Sequence, residues 1–141
     1  MNGRLGYKHS LLRVCRFSLI ASALGICCLY AAPTQNLDEG KITSTLEKHY
    51  GERAGMRARA WFKVLSEAST LDEKEKLLKV NNFFNLFRFI DDSKLWGESN
   101  YWATPMEFIG VNGGDCEDFS IAKYFTLLQL GVQEDKMRIT M

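Results

Sequence analysis

Hydrophobic positions recur at helical spacing along most of the chain. Between Cys116 and Leu130, four apolar side chains follow the i, i+3, i+4, i+7 pattern, and Gly131 comes next as a stop signal; the four are Ile121, Tyr124, Phe125 and Leu128. The pattern predicts a helix over residues 116–130 with this stripe facing the core.

Apolar spacing together with start and stop signals predicts four helices upstream, over residues 42–50, 52–69, 70–84 and 104–110. The last two begin with the form of a capping box, at Thr70-Leu71-Asp72-Glu73 and at Thr104-Pro105-Met106-Glu107. The loop over residues 111–114 then leads to Cys116.

An aromatic run overlaps the end of the third predicted helix and continues beyond it. Within it the apolar period shifts toward alternation, which predicts a short strand over residues 87–90, and its rings are expected in the core: Phe83, Phe84, Phe87 and Phe89. Asp91-Asp92-Ser93 reads as a turn or cap, with a second cation site as a weaker alternative. Trp96, Tyr101 and Trp102 either line a peptide groove or pack over the Cys116 helix start. Residues 137–141 read as the start of another strand.

The first 32 residues have the composition of a secretory leader. Four basic residues occur without an acid, at Arg4, Lys8, Arg13 and Arg16, and residues 17–30 are uncharged and mainly apolar. A helix of that length spans about 21 Å, less than a hydrocarbon core of about 30 Å, which favours a signal peptide. The poor cleavage site before Pro33 leaves an inner-membrane anchor as the alternative. Either way, residues 33–141 are predicted to lie in the periplasm.

Charge and composition restrict the exported part further. Four of the 18 basic residues and none of the 17 acidic residues lie in the leader, so residues 33–141 carry a formal charge of −3. This balance argues against nucleic acid as a partner. We find no internal repeat or linker, and residues 33–141 are predicted to form one domain.

Cys116 is the candidate nucleophile. The other three cysteines, Cys15, Cys27 and Cys28, lie in the leader, so the exported part keeps one unpaired thiol. The predicted helix starts at Cys116, and a helix N-terminus carries about half a positive charge, which favours a thiolate. The alternative is that Cys116 is a small buried hydrophobic residue.

Three carboxylates surround this cysteine, at Asp115, Glu117 and Asp118. Their negative charge opposes a thiolate unless a cation neutralises it. Asp115 and Asp118 can both cap the helix, whereas Glu117 has no such role. The sequence therefore indicates a cation site, with a solvated acidic helix start as the alternative.

Three segments together closely resemble the bacterial transglutaminase-like cysteine proteinases, and in particular the LapG-type periplasmic proteases. They are Asn81-Asn82-Phe83-Phe84-Asn85, Tyr101-Trp102-Ala103-Thr104-Pro105-Met106-Glu107, and Gly114-Asp115-Cys116-Glu117-Asp118-Phe119-Ser120-Ile121-Ala122-Lys123-Tyr124. The resemblance covers nearly all of residues 37–140.

The resemblance implies an α+β, papain-like or transglutaminase-like core, in which the nucleophile's helix packs against an antiparallel sheet that supplies His and Asp. The N-terminal helical part is expected in this chain, with most of the sheet beyond Met141. Cys116 matches the nucleophile, while Asp115, Glu117 and Asp118 match residues implicated in calcium binding. The implied function is calcium-dependent cleavage of the N-terminal region of a large surface adhesin, which releases biofilm cells. An inner-membrane cyclic di-GMP receptor is the implied regulator.

The histidines depart from this family pattern. The chain contains only His9, in the leader, and His49, whose context does not match the family's catalytic His. A cysteine nucleophile needs a general base, so we expect no turnover from the chain as written. Two alternatives stay open beside the protease: a non-catalytic calcium-binding or receptor-docking fragment, and a transglutaminase-type acyl transferase.

Overall fold

The computed structural model describes residues 36–140, and helices dominate this range. The helices are α1 (Glu39–Tyr50), α2 (Glu52–Ala68), α3 (Glu73–Phe84), α4 (Asp92–Leu95), α5 (Pro105–Val111) and α6 (Cys116–Gln129), followed by a 3-10 turn at Glu134–Lys136. Two short strands, β1 (Arg88–Phe89) and β2 (Gly113–Gly114), pair in parallel. The α+β class is as predicted. The predicted leader, residues 1–32, lies outside the described residues.

The helix starts follow the capping chemistry, with one shift. At α5 the Thr104 hydroxyl accepts from the Glu107 amide, and the Glu107 carboxylate accepts from the Thr104 amide at 2.8 Å. At α3 the cap is Asp72, whose carboxylate accepts from the Glu75 amide at 2.8 Å. Helix α3 therefore starts later than predicted, because Asp72 with Glu75 completes a capping box of its own.

The core lies where α2, α3, α5 and α6 meet. Phe84 and Phe108 are fully buried, with ring centroids 5.8 Å apart, and Phe108 meets Phe119 edge to face at 4.7 Å. The Trp61 indole N–H donates to the Thr126 hydroxyl across 2.9 Å, which ties α2 to α6. The aromatic run joins this core as predicted, except for Phe89, which is 62% exposed.

Helix α6 buries a different face from the one predicted. Asp118, Ala122, Thr126 and Leu127 are the buried positions, whereas the predicted stripe is half-buried, with Phe125 52% exposed. Helices α3 and α5 contact α6. Its sequence has a second face of smaller residues suited to close packing, and this face, rather than the predicted apolar stripe, is the buried one.

The C-terminal end of the described range lacks the strand predicted from the sequence. Met137 has extended dihedral angles, φ −123° and ψ 144°, but residues 137–140 form no strand in the described part of the chain, since no neighbouring strand there pairs with them. Among residues 36–140, no helix has the length and apolar character needed to cross a membrane.

Candidate active site

The glycine pair before Cys116 is held by backbone hydrogen bonds. The Arg88 amide donates to the Asn112 carbonyl at 3.1 Å, and the Ile90 amide donates to the Gly114 carbonyl at 2.9 Å. A Cβ atom on Gly113 would collide with the Arg88 carbonyl oxygen. Residues 113–114 of the predicted loop thus form strand β2, and only glycine allows β1 to approach it this closely.

Cys116 is the first residue of α6, and its thiol is free and exposed. The strand-to-helix turn presents it at the positive end of a 14-residue helix. The alternative that Cys116 is a small buried residue is therefore wrong. Its position is that of an accessible nucleophile.

Three carboxylates from two segments of the chain lie together at the start of α6. Asp92, at the start of α4, lies with Asp115 and Glu117, and one oxygen of each is within 4.8 Å of the others. Asp92 is only 3% exposed. The Oδ1 atoms of both Asp92 and Asp115 are buried without a hydrogen-bond partner. Carboxylate oxygens buried in this way lack the contacts that normally offset their desolvation, and a cation would supply them.

The surroundings of Asp115 in the cluster raise the pKa of its carboxyl group. Burial, a hydrogen bond with Glu117 and the charge of Asp92 raise the pKa of Asp115 to about 6. The shift reflects the cost of holding several negative charges together away from water. Hard oxygen ligands of this kind suit Ca²⁺.

Asp118 occupies a different place from the other two predicted ligands. It is fully buried, and its carboxylate accepts from the Ala103 amide at 2.7 Å and from the Asp115 amide at 3.3 Å. Burial raises the pKa of Asp118 and these hydrogen bonds oppose that shift. The structure brings Asp115 and Glu117 together with Asp92 rather than with Asp118.

The aromatic loop before α5 contacts α4 and α5 and also borders a groove. The Tyr101 amide donates to the Asp92 carboxylate, its hydroxyl donates to Glu107 at 2.9 Å, and its ring lies 4.5 Å from that of Trp96. Trp102 is 54% exposed and lines an apolar groove of about 400 Å³ with Phe125. Trp102 thus borders a groove, one of the two places that the sequence left open, whereas Tyr101 contacts α4, α5 and Trp96.

His49 lies in the last turn of α1, exposed, with its ring 6.5 Å from that of Tyr50. It is the only histidine among residues 36–140, and no interaction between it and Cys116 is found there. The described residues therefore give the thiol no imidazole base.

Comparison with known proteins identifies the family to which the chain belongs. A family model described as bacterial transglutaminase-like cysteine proteinase matches residues 56–141. A search of curated proteins gave no match.

Solved structures of Legionella pneumophila LapG are also similar. One is 38% identical, with a TM-score of 0.59, and the match covers 70% of this chain and 54% of that one. A calcium-bound form and an EGTA-treated form match at the same identity and TM-score. The chain thus spans about half the length of these solved relatives.

Proposed function

Because the chain belongs to the bacterial transglutaminase-like cysteine proteinase family, we propose that it is the nucleophile-bearing part of a calcium-dependent, periplasmic cysteine protease. The observation that carries the proposal is the exposed thiol of Cys116 at the α6 start, where its chain neighbours Asp115 and Glu117 meet Asp92 in a carboxylate cluster.

The chemistry follows from the thiol. In its thiolate form Cys116 attacks a peptide carbonyl, the amine leaves after accepting a proton, and water hydrolyses the thioester. A general base must take the thiol proton, and a second group must orient that base. In this proposal His and Asp from the part of the domain that this chain does not contain perform those steps.

Calcium is the proposed cofactor. Asp92, Asp115 and Glu117 would hold the ion, and the buried oxygen atoms without partners support this fit. The ion would offset negative charge that otherwise disfavours the thiolate. Calcium-bound and EGTA-treated forms of Legionella pneumophila LapG support the assignment by similarity.

The proposed substrate is the N-terminal region of a large surface adhesin, whose cleavage releases biofilm cells. An inner-membrane cyclic di-GMP receptor would sequester the protease, and the leader would deliver it to the periplasm. These assignments rest on the resemblance to LapG-type proteases.

Mass spectrometry of periplasmic protein should find a new N-terminus between about Ala31 and Gln35. An intact Met1 in the membrane fraction would support an anchor, and recovery of most protein in the cytoplasm would contradict export.

The calcium proposal is tested by isothermal titration calorimetry together with the rate of Cys116 alkylation by iodoacetamide. We expect saturable heat of binding and a higher alkylation rate with calcium than with EGTA. Glu117→Gln should remove both effects, and Glu98→Gln, which changes the same charge at an exposed position, should keep them. Equal alkylation rates and no heat of binding would contradict the proposal.

A non-catalytic, calcium-binding or receptor-docking protein is the second candidate, favoured by the lack of an imidazole near Cys116 within the described residues. The nucleotide sequence after codon 141 separates the two. An in-frame segment with His and then Asp supports the protease, whereas an authentic stop codon supports the second candidate. A transglutaminase-type acyl transferase would use the same thiol with an amine as acceptor, and product analysis with an added amine tests it.

A further inference from the structure

Asp118 is the predicted cation ligand that lies outside the carboxylate cluster of Asp92, Asp115 and Glu117. Its side chain is fully buried, and both of its oxygens accept backbone N–H groups, from Ala103 and from Asp115. Its carboxyl group also lies against Gly114, where any added Cβ would collide with it. Both oxygens of the Asp118 carboxylate are thus engaged by contacts within the fold.

The two amides that Asp118 binds belong to different segments. Ala103 lies in the loop that precedes α5, and Asp115 is the N-cap residue next to the thiol. The same loop reaches the third cluster carboxylate, because the Tyr101 amide donates to Asp92. A continuous path of hydrogen bonds and backbone therefore runs from Asp92 through residues 101–103 to Asp118 and on to Asp115.

This path joins the two halves of the cluster. Asp92 enters from α4, whereas Asp115 and Glu117 enter from the α6 start. Without a fixed link, mutual repulsion would move three carboxylates apart in the absence of a cation. The hydrogen bonds of Asp118 oppose that separation, since they hold the 101–103 segment and the N-cap residue at one distance.

We propose that Asp118 is a positioning residue, which holds the Asp92 side and the Asp115–Glu117 side of the cluster at the spacing a divalent cation requires, without binding the cation itself. The inference rests on the proposed calcium site. It assigns to Asp118 a role that differs from the ligand role expected from sequence.

The test uses Asp118→Asn, which keeps the size of the side chain and one acceptor oxygen but sets an NH₂ group against a backbone N–H. We expect calcium affinity, measured by calorimetry, to fall about 10-fold to 100-fold, the usual effect of losing a residue that orients metal ligands. Asp135→Asn, at an exposed position, should leave the affinity unchanged.

A second readout separates positioning from ligation. Terbium(III) is used as the probe, and its luminescence lifetimes in H₂O and D₂O count the water molecules on the ion. Glu117→Ala should add about one water, because a ligand is lost, whereas Asp118→Asn should add none. An added water in Asp118→Asn would make Asp118 a ligand and overturn the proposal.

The remaining outcomes are also decisive. Calcium affinity unchanged in Asp118→Asn would reduce Asp118 to a helix cap and overturn this proposal alone. No calcium binding by the unsubstituted protein would overturn the proposed calcium site together with it. If Asp118→Asn does not fold, Ala103→Pro carries the same test, because it removes the N–H that donates to Asp118 and leaves every carboxylate in place.

Discussion

Replacing Asp92 by Asn should stabilise the protein in EGTA and destabilise it, relative to the unsubstituted protein, in calcium. Asp92 is 3% exposed and lies within 4.8 Å of Asp115 and Glu117, measured between carboxylate oxygens. Asparagine keeps an oxygen to accept from the Tyr101 amide. The substitution therefore removes a charge from the cluster and retains the local hydrogen bond.

The size of the effect follows from Coulomb's law. Two unit charges 4.8 Å apart repel by about 3.5 kcal/mol at an effective dielectric constant of about 20. Asp115 and Glu117 are only half-buried, so solvent screening reduces the net gain to about 1 kcal/mol. In a domain of about 100 residues that gain raises the melting temperature by about 4–8 °C.

Thermal melting followed by circular dichroism measures the change in melting temperature both in EGTA and in calcium. In EGTA the melting temperature of Asp92→Asn should exceed that of the unsubstituted protein, and in millimolar calcium the order should reverse because a ligand is lost. Asp91→Asn is the matched control, since Asp91 is exposed and pairs with Lys94 at 3.2 Å outside the cluster. An unchanged melting temperature in EGTA, or an unaltered calcium response, would refute the electrostatic argument.

Three further predictions concern the turn around the thiol. This chain should not cleave an adhesin N-terminal fragment, as judged by gel electrophoresis, because the described residues give the thiol no imidazole base. Cleavage that Cys116→Ser abolishes would contradict this. The pKa of Asp115 is raised to about 6, so this group stabilises the folded protein below about pH 4, and the stabilisation is lost as pH rises through about 6. In EGTA, the melting temperature of the unsubstituted protein relative to that of Asp115→Asn should therefore decrease from about pH 4 to about pH 6. A flat difference across that range would refute the assignment. Gly114→Ala should lower the free energy of unfolding in urea by about 1–3 kcal/mol, since its Cβ would strike the buried Asp118 carboxylate; unchanged stability would show that the turn can relax.

The helices could be predicted from sequence because their signals are local. A capping box places its residues three positions apart, so Thr104 and Glu107 identify the start of α5 without any knowledge of the fold. The exposed thiol of Cys116 was predicted for the same reason, from the glycines and acids next to it. The family resemblance was also carried by contiguous segments, and the family match confirms it.

The carboxylate cluster could not be predicted in this way, because it depends on contacts between distant segments. Asp92 was noted only as part of a separate, weaker cation site, yet its side chain meets Asp115 and Glu117. Sequence spacing likewise grouped Asp118 with its neighbours on the chain. In the helix, however, it turns inward to the Ala103 amide. Position along the chain does not state which side of a helix start faces the fold.

Helix α6 shows the same limit for packing. Its sequence offers two faces that can be buried, and a period of 3.6 residues does not rank them. The face bearing Ala122 and Thr126 meets the helical part of the fold, where small side chains let the Trp61 indole N–H reach the Thr126 hydroxyl. The larger stripe stays half-buried and contributes Ile121 and Phe125 to the groove beside Trp102. Since apolar area buried against a partner stabilises a fold at about 25 cal/mol per Å², the exposed ring of Phe125 is a stabilising contribution that α6 does not use within residues 36–140.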